Sequence, residues 1–163
     1  MSGIELIISD DHSGLGTARK AVFPSIPWQR CTFHMAQNAQ SYAPRQEEGG
    51  TRTSCEGYFN CPNLDLAREC KRIAIEKYEK IAPRFSDWLE NNIEEGMTFY
   101  QFPQSHRKRI RTSNALERLH QEIKRRTRVV RVFPNEASCE RLVTAILQET
   151  HEEWVSGKVY LSL

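Results

Sequence analysis

At 163 residues, 39% hydrophobic and 27% charged, the chain is long enough to bury a core and is expected to form one domain, or one domain with an excursion. No apolar run approaches the ~20 residues needed to cross a bilayer, which excludes a helical membrane span. No secretory signal precedes the five irregularly spaced cysteines, so the expectation is a reduced, cytoplasmic, soluble protein and not a disulfide scaffold. The net charge of +2 hides an asymmetry: between Ser105 and Arg131 ten Lys and Arg side chains face only Glu117 and Glu122. That segment points to a polyanionic partner, with a solvated basic helix face as the plain alternative.

In chain order, "IELII" (4–8) is short, β-branched and not cleanly alternating, which suits a strand buried on both faces. A turn through 10–14 leads into a helix with Leu15, Ala18 and Val22 on one stripe, Asp11 or Ser13 being suited to cap it. "PWQRCTF" (27–33) reads as a second strand, and the chain from His34 to about Tyr42 as a helix, the grammar of an α/β layer. Residues 44–61 carry Gly49–Gly50 and scattered polar residues, and read as a loop. Asn63 can cap a helix with Leu66, Ala67, Cys70, Ile73, Ala74, Tyr78 and Ile81 on its stripe. Pro83 then opens another with Phe85, Trp88, Leu89 and Ile93 inward, and Gly96 stops it. A further helix is expected over 115–126, with Leu116, Leu119 and Ile123 as its core stripe. Asn135 caps a last long one with Ala137, Leu142, Val143, Ile146 and Trp154 inward. No internal repeat or low-complexity tract is present.

Two acids are candidates for chemistry. At 100° per residue Glu117, Gln121, Lys124 and Arg128 line one helix face beside the apolar stripe, placing a carboxylate at the head of a row of cations. A metal site with phosphate running alongside would need that arrangement, but Asn114-x-x-Glu117 is also close to a capping box. Asp10, between a strand and a helix, is equally a turn residue. Strand alternation forbids Asp10 and Asp11 from facing one site without a bend.

Taken with their flanks, "SDDHSGL", "FPSIPWQRCTFHMAQN", "HRKRIRTSNALERLHQEIKRRTRVVRVFPNEASCERLVTAIL" and "EEWVSGKVYL" resemble, in order, the catalytic region of Mutator-type transposases, over residues 1–44 and about 60–163. The resemblance implies a truncated, helix-rich α/β domain of ribonuclease-H-like fold with an all-α insertion. It divides as 1–44 bearing the second Asp, an irregular loop at 45–61, a helical insertion at 62–101, and C-terminal helices at 102–163 bearing the Glu and a basic stripe. It also implies an Asp, Asp, Glu triad holding two Mg²⁺ or Mn²⁺ ions, with Asp10 as the second Asp and Glu117 as the Glu of "NALER". Cys31 and His34 match the C-x-x-H signature and are expected to pack near the active site. Arg111, Gln121, Lys124, Arg125, Arg126 and Arg128 would meet DNA. The implied partners are double-stranded DNA, as transposon ends and target, and a second copy or a longer transposase, in the bacterial cytoplasm at the nucleoid, with no membrane.

Such a metal pair suits the chemistry: hard cations about 4 Å apart would activate an attacking oxygen and stabilise a leaving one in phosphodiester hydrolysis and strand transfer. The pattern departs from the family in two places. Its first Asp belongs on a strand before "IISDDHSGL", so this chain is expected to hold an incomplete metal site and little strand-transfer activity. A non-catalytic DNA-binding or regulatory remnant, or a decayed reading frame, is the alternative. The second departure is "EEGGTRTSCEGYFN", which makes Cys55 and Cys61 look accidental. A zinc set of Cys31, His34, Cys55 and Cys61 needs an unusual x5 spacing and a tight turn the loop lacks.

Overall fold

Ile7–Ser9 (β1) and Trp28–Arg30 (β2) pair in parallel, Ile7 opposite Trp28 and Ser9 opposite Arg30, with helix Ser13–Val22 (α1) between them in the chain. Both strands are shorter than the expected 4–8 and 27–33, and the Cys31 N–H extends the ladder by donating to Ser9 O at 2.9 Å. In the computed structural model residues 3–156 are described; the end of the "EEWVSGKVYL" block lies outside them. Two compact units divide between Ser113 and Asn114. The chain is a helix-rich α/β protein whose sheet, among the described residues, has these two strands.

Cys31 follows β2 and stands at the N-cap of helix Thr32–Gln40 (α2), so the strand expected over 27–33 gives way to helix at Thr32. Helices Glu48–Phe59 (α3), Leu64–Tyr78 (α4), Pro83–Asn92 (α5) and Gln104–Ile110 (α6) complete the first unit, with 3₁₀ turns at Arg45–Glu47, Ile93–Gly96 and Thr98–Gln101. Its core is aromatic: Tyr78 meets Phe85 edge-on at 5.0 Å, Phe85 stacks on Trp88 at 6.3 Å, and Tyr42 covers Trp88. Phe85, Trp88, Leu89 and Ile93 are buried as their spacing predicts, and Asn63 caps α4 by accepting from Leu66 N–H at 2.9 Å.

The loop expected over 45–61 is a correction: apart from its ends, the segment is helical. Its buried residues are Thr51, Cys55, Tyr58 and Phe59, at i, i+4, i+7 and i+8 of one helix face. The periodicity is therefore present, but half of it is carried by Thr and Cys, which read as polar or accidental. The glycines that argued for a loop are tolerated because packing outweighs their propensity cost of about 1 kcal/mol each. Gly50 has a packing reason as well, since a β-carbon there would stand 3.1 Å from the Tyr78 hydroxyl. Cys55 is fully buried, and desolvation pushes its thiol up to about 12.

Two stripes also differ from expectation. Leu15, Ala18 and Val22 of α1 stay exposed, because two three-residue strands offer no face broad enough to cover them. On α4 the buried line runs Ala67, Ala74, Tyr78, leaving Leu66 and Ile73 beside it, and Ile81 in the turn beyond, about half exposed.

The second unit is the pair Asn114–Val130 (α7) and Glu136–Ser156 (α8). Asn135 caps α8 by accepting from Ser138 N–H at 2.9 Å. Between the helices Arg131 adopts φ 61°, the left-handed conformation that ends a helix and that glycine takes most easily. The expected stripe of α7 is not a core: Leu116 is exposed, Leu119 and Ile123 are half-buried, and no α7 residue is buried. On α8 Ile146 alone is buried among the described residues; Ala137 and Trp154 are exposed.

Candidate functional site

The C-terminal end of β1 places Asp10 beside the start of α2. The Oδ1 of Asp10 lies 2.5 Å from His34 Nδ1, a close approach of carboxylate and imidazole. Cys31 joins them: one ligand atom each from Asp10, Cys31 and His34 lies within 4.8 Å of the other two. Strand and helix geometry explain the convergence. Cys31 and His34 stand at i and i+3, hence on one side of the first turn of α2, and the parallel pairing of β1 with β2 brings the residue after β1 to that same turn. Asp10 and His34 reach solvent, while the Cys31 side chain is buried.

Two donors converge on the sulfur: the Ser113 N–H and the Ser113 hydroxyl, each 3.4 Å from Cys31 Sγ. The Thr32 N–H, unsatisfied within its own helix, donates to Arg111 O at 2.9 Å and fixes residues 111–113 against this turn. Neither Ser113 nor the partner of Asp11 was legible in the sequence. Asp11 pairs with Arg30 at 3.1 Å, and Arg30 reaches Glu95 on its other side at 3.0 Å with its own side chain buried. The cap of α1 is therefore neither Asp11 nor Ser13 but His12, whose Nδ1 accepts from Gly14 N–H at 3.2 Å. Asp11 is drawn away because a buried guanidinium needs a counter-charge more than an exposed helix end needs a cap.

The four-ligand zinc set does not form among the described residues. Cys55 lies in the core on α3, and the Cys61 sulfur is 3.6 Å from that of Cys70.

In the second unit Glu117 stands half-buried in the first turn of α7, with Gln121, Lys124 and Arg128 following at i+4, i+7 and i+11. Gln121, Lys124, Arg125 and Arg128 line an open recess of about 460 Å³. Glu122 neutralises part of this surface: it takes both nitrogens of a bidentate contact from Arg125 at 2.8 Å and one from Arg126 at 2.6 Å. These bonds, Arg125 first, hold the Glu122 carboxyl down at about 2. Arg126 is also paired with Glu149 of α8 at 2.8 Å. Among the described residues Lys124 and Arg128 have no ion-pair partner.

Two arginines near the end of the first unit are used differently. Arg111 donates to Phe59 O at 2.6 Å and to Asn60 Oδ1 at 2.9 Å, tying down the end of α3. Arg107 binds the carbonyls of Tyr100, Phe102 and Pro62.

Comparison with known proteins matches residues 1–157 to the family described as "Transposase, Mutator family". The chain is 47% identical over 163 residues to the transposase for insertion sequence element IS406 of Burkholderia multivorans, covering 99% of this chain and 42% of that protein. It is 39% identical to the transposase for ISRM5 of Rhizobium meliloti, over 100% of this chain and 41% of that protein. Against the transposase for IS256 in transposon Tn4001 of Staphylococcus aureus it is 34% identical, over 99% of this chain and 42% of that protein. The chain thus spans about two fifths of the length of the curated relatives it matches.

Proposed function

The chain belongs to the Mutator family of transposases, and from that premise we propose that it is the part of a DNA strand-transfer enzyme that supplies two metal-binding carboxylates and a phosphate-binding helix. In this reading β1–α1–β2 is part of a ribonuclease-H-like sheet, and α3 to α5 form its helical insertion. The observation that carries the proposal is the lie of α7, with a carboxylate at Glu117 and then Gln121, Lys124 and Arg128 on the same face of one uninterrupted helix. Lys124 and Arg128, without an ion-pair partner among the described residues, would hold the phosphates of transposon-end or target DNA, which gives affinity with little sequence preference.

Asp10 and Glu117 are the residues that would hold Mg²⁺ or Mn²⁺, and the donor chemistry fits in part. Asp10 offers the carboxylate oxygen such hard ions need, but Asp11 is committed to Arg30 and the other neighbours of Asp10 are a thiol and an imidazole. When bound, the metal supplies Lewis-acid activation of the attacking oxygen and neutralises charge on the leaving one. The protein's own part is to orient: the His34 imidazole stands against one oxygen of Asp10 and limits the rotation of the carboxylate. Two carboxylates give too little charge for two divalent ions. The 163-residue chain alone is therefore expected to bind DNA without joining it. A second reading follows from the same helix, because Lys124 and Arg128 need no metal: the chain acts as a DNA-binding competitor, or pairs with longer relatives in the bacterial cytoplasm.

Binding of labelled duplex DNA across a salt series tests the proposal. Lys124→Ala and Arg128→Ala should each weaken binding and lower the slope of log K against log salt by about 0.9, the loss of one phosphate contact. Arg52→Ala, which removes a cation already paired with Glu56, should do neither. Salt-independent binding, or slopes unmoved by both α7 changes, would sink it. Strand joining by the chain alone, abolished by Glu117→Gln, would instead show that the two carboxylates suffice.

A further inference from the structure

The cluster at the head of α2 has a donor set that magnesium chemistry does not call for. One carboxylate, one thiol and one imidazole converge within 4.8 Å, from residues on two elements that strand pairing holds together. A hard cation bound through Asp10 would have no use for Cys31. A borderline-soft divalent cation takes just this mixture of oxygen, nitrogen and sulfur. A second observation points the same way. Both donors of Ser113 aim at Cys31 Sγ at 3.4 Å, the outer-shell arrangement that orients a metal-bound thiolate and offsets its charge. Access is one-sided: the sulfur is buried, while the Asp10 and His34 side chains are 48% and 29% exposed, so an ion would enter past them.

We propose that Asp10, Cys31 and His34 form a binding site for a borderline-soft divalent cation, with zinc the one its donors suit. Three protein ligands leave a fourth position open to water or another oxygen donor. Binding displaces the thiol proton of Cys31 to solvent, leaves the one proton of the neutral imidazole on the nitrogen that does not ligate, and replaces the close approach of His34 to Asp10 with two metal–ligand bonds. Because Asp10 is shared, zinc here and magnesium at Asp10 exclude one another, so zinc would withhold this carboxylate from strand-transfer chemistry.

Titration of the intact chain with Co²⁺, under a reductant that carries no thiol, tests the site without reference to DNA or catalysis. It is therefore independent of whether the transposase reading holds. One equivalent should produce a near-ultraviolet thiolate-to-cobalt band, and Zn²⁺ should bleach it whereas excess Mg²⁺ should not. Cys31→Ser should abolish the band. His34→Ala, at a partly exposed position that spares the fold, should weaken zinc by more than about tenfold, measured by chelator competition, since even an outer-shell loss costs about that much. The double change Cys61→Ser, Cys70→Ser, which removes the other close pair of thiols, should leave the band intact. The proposal is overturned if no band forms. It is equally overturned if the band survives Cys31→Ser, or is lost only when Cys61 and Cys70 are replaced.

Discussion

The two units of the chain bury their side chains in opposite ways. The first closes a core around Tyr58, Tyr78, Phe85, Leu89 and Phe99, all under 3% exposed, whereas the second buries Ile146 and leaves every residue of α7 at least partly open. Yet α7 has the regular apolar stripe that a helix uses to dock. Amphipathic pattern therefore says which face a helix can bury and not whether the chain at hand buries it. Arg107 and Arg111 of the first unit hold backbone carbonyls, while Arg125 and Arg126 of α7 are held by Glu122.

The largest test of that contrast is a pair of truncations. Leu89→Ala, at a fully buried position, should cost about 2–5 kcal/mol, whereas Leu119→Ala on half-buried α7 should cost less than half as much. Urea unfolding measures the totals, and amide hydrogen exchange locates them: Leu89→Ala should speed exchange in α4 and α5 and leave α7 amides unchanged. Equal costs, or loss of protection in both units together, would show that the two behave as one cooperative body.

A smaller effect is confined to the second unit. Arg131 holds φ 61° at the end of α7, where a β-carbon costs roughly 1 kcal/mol. Arg131→Gly should stabilise the α7–α8 turn by about that amount, part of it lost again to the greater freedom of unfolded glycine. A raised urea midpoint for α7 and α8 exchange, with α4 and α5 unmoved, is the expected result. A lowered one would mean that the Arg131 side chain contributes more than its backbone conformation costs.

How much of this was legible in the sequence follows the same division. The stripe of α5, the Asn63 and Asn135 caps and the ordering of strand and helix at the start were readable, because each is decided by residues close in sequence. The helix at 48–59 was not, since its buried face uses Thr51 and Cys55 and its glycines imitate a break. The shortness of both strands and the bare stripe of α1 depend on what lies across from them, which local pattern does not encode. Of the site, Asp10, Cys31 and His34 were singled out by resemblance, which also put Cys31 and His34 near the active site, but the geometry of their convergence was not legible. It depends on parallel pairing of two strands separated by a helix, and on Ser113, 82 residues from Cys31 in the chain. Arg30 was missed for the same reason: its partners Asp11 and Glu95 lie on either side of it in the fold and nowhere near each other in sequence.

The smallest expected effect is also the most local, and it concerns the acid that quiets the basic helix. Bonds from Arg125 and then Arg126 hold Glu122 at about 2, below the ordinary carboxylate value of 4.5. A carboxyl depressed in the folded state lends stability that is complete above its unfolded value and is lost as pH falls toward the folded one. The contribution of Glu122 to α7 should therefore be full above about pH 4.5 and drain away between there and about pH 2. Glu122→Gln removes this dependence, so the difference in α7 helicity between the two proteins, by circular dichroism or exchange, should shrink on acidification through that window. The same substitution releases Arg125 and part of Arg126 at neutral pH, and should tighten DNA binding and steepen its salt dependence. Weaker binding would show that Glu122 serves DNA by holding the two guanidinium groups in place and not by masking their charge.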